Sequence, residues 1–233
     1  MINSIEAAND PGVFETLMNA EALFIAGGDQ SQYLKFWEGT KVEEAIKQLI
    51  TDKLIPIGGT SAGCAIMGEY VYTGENGSIV SDETLQNPFD QKLTVRKSTL
   101  INHPFLKNTI TDQHFSQRDR AGRLVGFLAR LKEFSGANPL RAIAVDEKTA
   151  LVIDKDGKAQ VLGQSDAYFL IESDAEQAPE QIQTQLPLTW DLGNKALKVA
   201  VVSGGDDTSI DIKKWDLDWK GYWYAIDGKL ITN

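Results

Sequence analysis

Short apolar runs alternate with polar and glycine-bearing stretches along most of the chain. Runs at residues 22–26, 54–57, 141–145 and 198–202 are too short for helices and predict buried strands. Helical spacing predicts a short helix over residues 13–20 and longer ones over residues 42–50 and 118–134. In the last of these, Leu124, Leu128 and Leu131 recur on one face, and Phe127 and Phe134 are expected to join its buried side. After Ala150 the pattern shortens to that of a hairpin, with strands at 150–153 and 159–162 around a turn at 154–158. A further strand is expected at 167–171. The Gln-, Glu- and Pro-rich stretch 173–187 reads as a solvated loop. Trp215, Trp219, Tyr222, Trp223 and Tyr224 are expected to pack the domain edge. Strands alternating with helices predict one α/β domain over residues 1–233, with its core in 1–150 and a β-rich part in 151–233.

The chemistry concentrates where a strand runs into a helix. Gly59-Thr60-Ser61-Ala62-Gly63 follows Leu54-Ile55-Pro56-Ile57 and precedes a helix-like segment. It reads as a nucleophile elbow, in which a serine on a strained turn needs small neighbours and projects its hydroxyl above the sheet edge. The first N–H groups of the following helix, Ala62 foremost, face a developing oxyanion. Cys64, just beyond, is expected to be a packed, inert thiol.

A serine nucleophile needs a base, and the chain has two histidines. His114 lies among polar residues before the 118–134 helix, where an imidazole can face a pocket. His103, followed by Pro104 and Phe105, reads as a structural turn residue. Arg118, Arg120 and Arg123 follow His114 closely, and Arg120 and Arg123 share a helix face. They are either a carboxylate clamp or a solvated face paired with acids such as Asp119. The run 22–26 leads into Gly27-Gly28-Asp29-Gln30, either a plain turn or a binding loop at a strand's carboxyl end. In the second case a backbone N–H, taken here as that of Gly28, completes the oxyanion hole, and Gln30 hydrogen-bonds the substrate backbone.

Taken in order, Gly27-Gly28-Asp29-Gln30, Gly59-Thr60-Ser61-Ala62-Gly63, Asp112-Gln113-His114-Phe115 with Arg118, Arg120 and Arg123, and Asp146-Glu147-Lys148-Thr149-Ala150 resemble the cyanophycinase and dipeptidase E group of serine peptidases. The resemblance implies a three-layer, mostly parallel sheet like that of class I glutamine amidotransferases, a flavodoxin-like arrangement. It implies Ser61 as nucleophile, His114 as general base and Glu147 as the orienting carboxylate. Strand alternation sends Asp146 and Glu147 to opposite faces, so only one reaches His114, and Glu147 is the expected one. It also implies a substrate pocket of Gln30, Asp112, Gln113, Arg118, Arg120 and Arg123. Hydrolysis of cyanophycin to β-aspartyl-arginine follows, with an aspartate-specific dipeptidase or a catalytically silent binding homologue as alternatives. A homodimer is expected on the same ground. In that family strand and helix units precede the equivalent of Ala22. A shortened first half of the sheet is therefore expected, its edge covered by C-terminal strands or another chain.

Composition narrows the partners. With 33 acidic and 23 basic residues the net charge is −10, which argues against nucleic acid. Two histidines and one cysteine offer no zinc site, and no cofactor is expected. A single cysteine fits a reducing compartment, and the cytoplasm is the expected location. No apolar run approaches the roughly 18 residues of a membrane span, so no membrane partner is expected.

Overall fold

In a computed structural model that describes residues 2–233, the chain forms a mixed α/β fold around a large central sheet. The first half supplies helices α1 (Ile5–Ala8) and α2 (Pro11–Met18), strand β1 (Leu23–Ile25), helices α3 (Gln30–Trp37) and α4 (Lys41–Thr51), strand β2 (Ile57–Gly59) and the one-turn helix α5 (Ala62–Ala65). Then come β3 (Tyr70–Tyr72), α6 (Ser81–Gln86), β4 (Val95–Lys97), β5 (Thr109–Gln113), α7 (Ala121–Lys132) and β6 (Arg141–Val145). The remainder is β-rich, with β7 (Thr149–Ile153), β8 (Lys158–Gly163), β9 (Asp166–Glu172), β10 (Leu197–Ser203), β11 (Ile210–Asp211), β12 (Gly221–Ile226) and β13 (Lys229–Thr232).

The central sheet has eight strands in the order β13-β12-β10-β9-β6-β5-β3-β4, so the β-rich part and the first half share one sheet. Its pairing corrects the expectation of a mostly parallel sheet. Only β3-β5 and β5-β6 run parallel within it, and β1-β2 form a separate parallel pair. The reason lies in the connections. The β5-to-β6 crossover contains α7, long enough to return the chain in the same direction. The excursion from β6 to β9 is the β7-β8 hairpin, which reverses it. Nor do the C-terminal strands cover β1: β12 and β13 extend the far end of the sheet beyond β10.

Three apolar clusters fix the layers. On one face of the sheet, Leu124, Phe127, Leu128 and Leu131 of α7 pack with Ile110, Ala142, Leu170 and Trp223. On the other face, Ile143 and Phe169 meet the three-stranded sheet β11-β8-β7 through Ala159, Val161 and Ile210, and Trp215 joins them. The third cluster joins α3, α4 and β1 to Val71. Helix α4 forms because Val42, Ala45, Ile46, Leu49 and Ile50 make one buried stripe, with Glu43 and Glu44 favourably placed in its first turn.

Two local expectations shift. The strand after Leu54 starts only at Ile57, because Leu54 has φ 55° and is 76% exposed. Phe134 lies beyond the end of α7 and is 52% exposed, so it does not join the buried face. Among the described residues no helix is long and apolar enough to cross a membrane.

Candidate active site

The carboxyl ends of β1, β2, β5 and β6 carry, in turn, Gly27 and Gly28, Ser61, His114, and Asp146 with Glu147. Parallel registry sets the last two together: Gln113 of β5 lies opposite Val145 of β6, so the turns that follow leave the sheet at the same level.

Ser61 sits at φ 50° and ψ −116°, a region a non-glycine residue occupies only under constraint, at a cost of about 1–3 kcal/mol. Its glycine neighbours supply the constraint. A Cβ on Gly63 would lie 2.2 Å from the Ile25 carbonyl oxygen, and one on Gly59 would lie 2.5 Å from the Gly63 carbonyl. Helix α5 thus packs on β1 and β2 at a distance only glycine permits. Ala62, the first residue of α5, has an N–H without an intrahelical partner, and Gly28, at φ 153°, lies in the turn that follows β1. Gly27 lies against Ser61, since a Cβ there would be 3.1 Å from the serine Cβ.

His114 Nε2 is 3.0 Å from Ser61 Oγ, and His114 Nδ1 is 2.8 Å from Glu147 Oε1. The three side chains therefore form a continuous hydrogen-bonded line. His114 itself has φ 49°, so the chain turns sharply after β5 to aim the imidazole along the sheet edge. His103 is elsewhere, capping a short 3-10 turn through a bond from the Phe105 N–H to its Nδ1.

Asp146 points away from the imidazole. It accepts from the Ser116 N–H at 2.8 Å and the Ser165 hydroxyl at 2.7 Å, tying the His114 turn to the β6 end. Burial alone would raise its pKa, but these hydrogen bonds outweigh that and hold the carboxyl below its usual value. Gln117 adds a second tie, its Oε1 accepting from the Glu147 N–H at 2.9 Å. Neither Gln117 nor Ser165 stood out in the sequence. Gln117, though inside the His114 motif, carries no signal beyond its polarity.

The expected pocket residues divide. Arg123 grips Asp112 bidentately, Nε to Oδ2 at 2.8 Å and Nη2 to Oδ1 at 2.5 Å, and both side chains are almost wholly buried. Arg120 donates through Nη1 to the carbonyl and the side-chain oxygen of Gln113. Asp112, Gln113 and Arg123, all expected in the substrate pocket, are thus buried in one hydrogen-bonded network with Arg120. The two arginines are also no solvated face. Arg118 is exposed. Gln30 is half-buried, with Nε2 3.4 Å from the Tyr72 carbonyl. Among the described residues, the Nε–Nη2 edge of Arg120 makes no hydrogen bond, and Arg120 lines a cavity of about 250 Å³ walled by Phe115, Tyr168 and Trp223. Burial pulls its guanidinium down to about 10, the largest of several influences, yet it remains cationic at neutral pH. The Cys64 thiol, half-buried, is pushed up to about 12 by burial, with the Asp112 charge adding, so it stays protonated.

The chain is similar to several known proteins. The chain is 29% identical over 207 residues to proteins named cyanophycinase from Trichormus variabilis and a Nostoc species, a match covering 88% of this chain and 62% of each relative. The chain therefore matches less than two thirds of those relatives' length. A cyanophycinase from Geminocystis herdmanii is 29% identical over 149 residues, covering 64% of this chain and 48% of its own. A crystal structure of a peptidase from an acI-B1 Actinobacterium shares the fold at 17% identity and a TM-score of 0.56, covering 90% of this chain and 67% of that one. The family model described as Peptidase family S51 matches residues 2–161, and the chain belongs to that family.

Proposed function

We propose that the protein is a serine peptidase of cyanophycinase type, hydrolysing a peptide or isopeptide bond beside aspartate through an acyl-enzyme. The observation that carries this reading is the line from Ser61 through His114 to Glu147, with gaps of 3.0 and 2.8 Å. Ser61 Oγ attacks the scissile carbonyl while His114 Nε2 takes its proton. Glu147 accepts from Nδ1, holds the imidazole in the tautomer that leaves Nε2 free to act as base, and stabilises the imidazolium. The Gly28 and Ala62 N–H groups receive the oxyanion, and His114 returns the proton to the leaving nitrogen. Water then cleaves the acyl-enzyme with His114 again as base. On this reading the sheet is of the class I glutamine amidotransferase-like, flavodoxin-like kind, Arg118 and the free edge of Arg120 meet substrate carboxylates, and Gln30 meets its backbone.

One observation favours the second reading, an aspartate-specific dipeptidase. Asp112, the carboxylate that would hold a substrate guanidinium, is already neutralised by Arg123, whereas the cationic Arg118 is exposed. The deciding experiment offers cyanophycin and short α-aspartyl peptides side by side, with Ser61→Ala as control. Release of β-aspartyl-arginine from the polymer, abolished in the variant, supports the first reading. Cleavage of α-aspartyl peptides alone supports the second. A folded protein that cleaves neither contradicts both.

A further inference from the structure

The Gly27–Gly28 peptide is held by a side chain that the mechanism above does not use. Tyr33 lies on α3, and its hydroxyl donates to the Gly27 carbonyl at 3.0 Å, with the Ala26 carbonyl also within reach at 3.2 Å. In a planar trans peptide the Gly27 C=O and the Gly28 N–H point to opposite sides. Anchoring the carbonyl at Tyr33 therefore turns the Gly28 N–H away from α3, while Gly27 itself lies against Ser61.

We infer that Tyr33 is a positioning residue whose hydroxyl fixes the Gly27–Gly28 peptide, so that the Gly28 N–H is presented to the oxyanion formed at Ser61. The inference rests on the proposed role of Ser61. Two consecutive glycines make this peptide unusually free to flip, because neither residue has a Cβ to bar the alternative orientation. A flip would swing a carbonyl to where a donor is needed. The clamp opposes that flip and leaves no slack, since a Cβ on Gly28 would lie 2.7 Å from the Tyr33 oxygen.

Tyr33 is itself well placed for the task. Its ring stacks on Trp37 at 4.6 Å and 15°, and the Trp37 indole donates to the Ile2 carbonyl at 3.0 Å. Asp29 caps α3 through the Ser31 N–H at 2.9 Å, fixing the start of the helix that carries Tyr33. Burial, with the Asp29 charge adding, raises the phenol above its ordinary pKa, so it remains an O–H donor.

Tyr33→Phe keeps the ring and its stack and removes only the oxygen. On whichever of the two substrates above the protein turns over, kcat is expected to fall about 10- to 100-fold with KM within about two-fold. That is somewhat less than outright removal of an oxyanion donor, which costs about 10²- to 10³-fold, because the freed peptide still visits the right orientation. The melting temperature is expected to stay within about 2 °C of the wild type, as for removal of one exposed hydrogen bond. A kcat within two-fold of wild type, in a protein whose hydrolysis Ser61→Ala abolishes, overturns the role of Tyr33 and leaves that of Ser61 standing. A fall carried by KM or by lost stability also overturns it. A wild-type protein that neither cleaves substrate nor reacts at Ser61 overturns both.

Discussion

Gly63→Ala tests whether the contact between α5 and β1 sets the position of Ser61. Two effects of opposite sign compete. In a helix, alanine is intrinsically better than glycine by about 0.5–1 kcal/mol, so a site with room would be stabilised. Here the added Cβ would lie 2.2 Å from the Ile25 oxygen, 2.8 Å from the Ile25 carbonyl carbon and 3.0 Å from the Ala26 oxygen, all backbone atoms that no rotamer change can move. Restoring ordinary contact, about 3.5 Å between such atoms, requires α5 to shift by about 1 Å. Overpacking of this kind costs about 1–3 kcal/mol and outweighs the helical gain. The net loss of about 1–2 kcal/mol corresponds to a melting temperature lower by about 2–8 °C for a domain of this size. The shift also carries Ser61 away from His114 Nε2, and a misplacement of about 1 Å costs about 10²-fold in rate. Thermal melts and the rate of Ser61 modification by a fluorophosphonate, measured on the same preparation, read both effects. A variant as stable as the wild type with an undiminished rate would refute the reasoning.

Three further outcomes follow from the same geometry. Glu147→Gln keeps the shape but removes the charge opposite Nδ1; with the carboxylate side chain 46% exposed, water compensates in part, and kcat is expected to fall about 10²-fold, short of the roughly 10⁴-fold loss at fully buried sites, in steady-state assays. Asp112→Ala leaves Arg120 and Arg123 buried without their carboxylate and is expected to cost about 3–5 kcal/mol, seen as a melting temperature lower by more than about 6 °C; an unchanged melt contradicts it. The folded-state pKa of Asp146 lies below its ordinary value of 3.8, so its stabilisation is present above that value and is lost as pH falls through the folded one; Asp146→Asn should therefore lose less stability than wild type between about pH 5 and pH 2, and parallel acid melts would contradict this.

What could be read from the sequence depended on how local each signal was. The elbow at Ser61 was legible because its glycines, strand and helix are contiguous, and the β7-β8 hairpin because its turn lies between two alternating runs. Strand β5 was missed: Thr109-Ile110-Thr111-Asp112-Gln113 is mostly polar, yet every residue is buried. What permits that burial is Arg123, eleven residues after Asp112, and a contact of that kind has no signature in the local pattern. The pairing of Arg123 with Asp112 was hidden for the same reason, since nothing in the local pattern separates a substrate-facing arginine from one held by a buried carboxylate. Strand direction after β6 was also hidden, because an apolar run does not record which way it points. Tyr33 was invisible as well, since its meaning depends on a carbonyl six residues earlier.

The central claim is that Ser61 is a nucleophile activated by His114, and covalent labelling tests it without assuming a substrate. Treatment of the folded protein with a fluorophosphonate, followed by peptide mass spectrometry, should give a single adduct on Ser61 that His114→Ala abolishes. A folded protein that takes up no label, or takes it up with equal speed in the His114→Ala variant, would contradict the account.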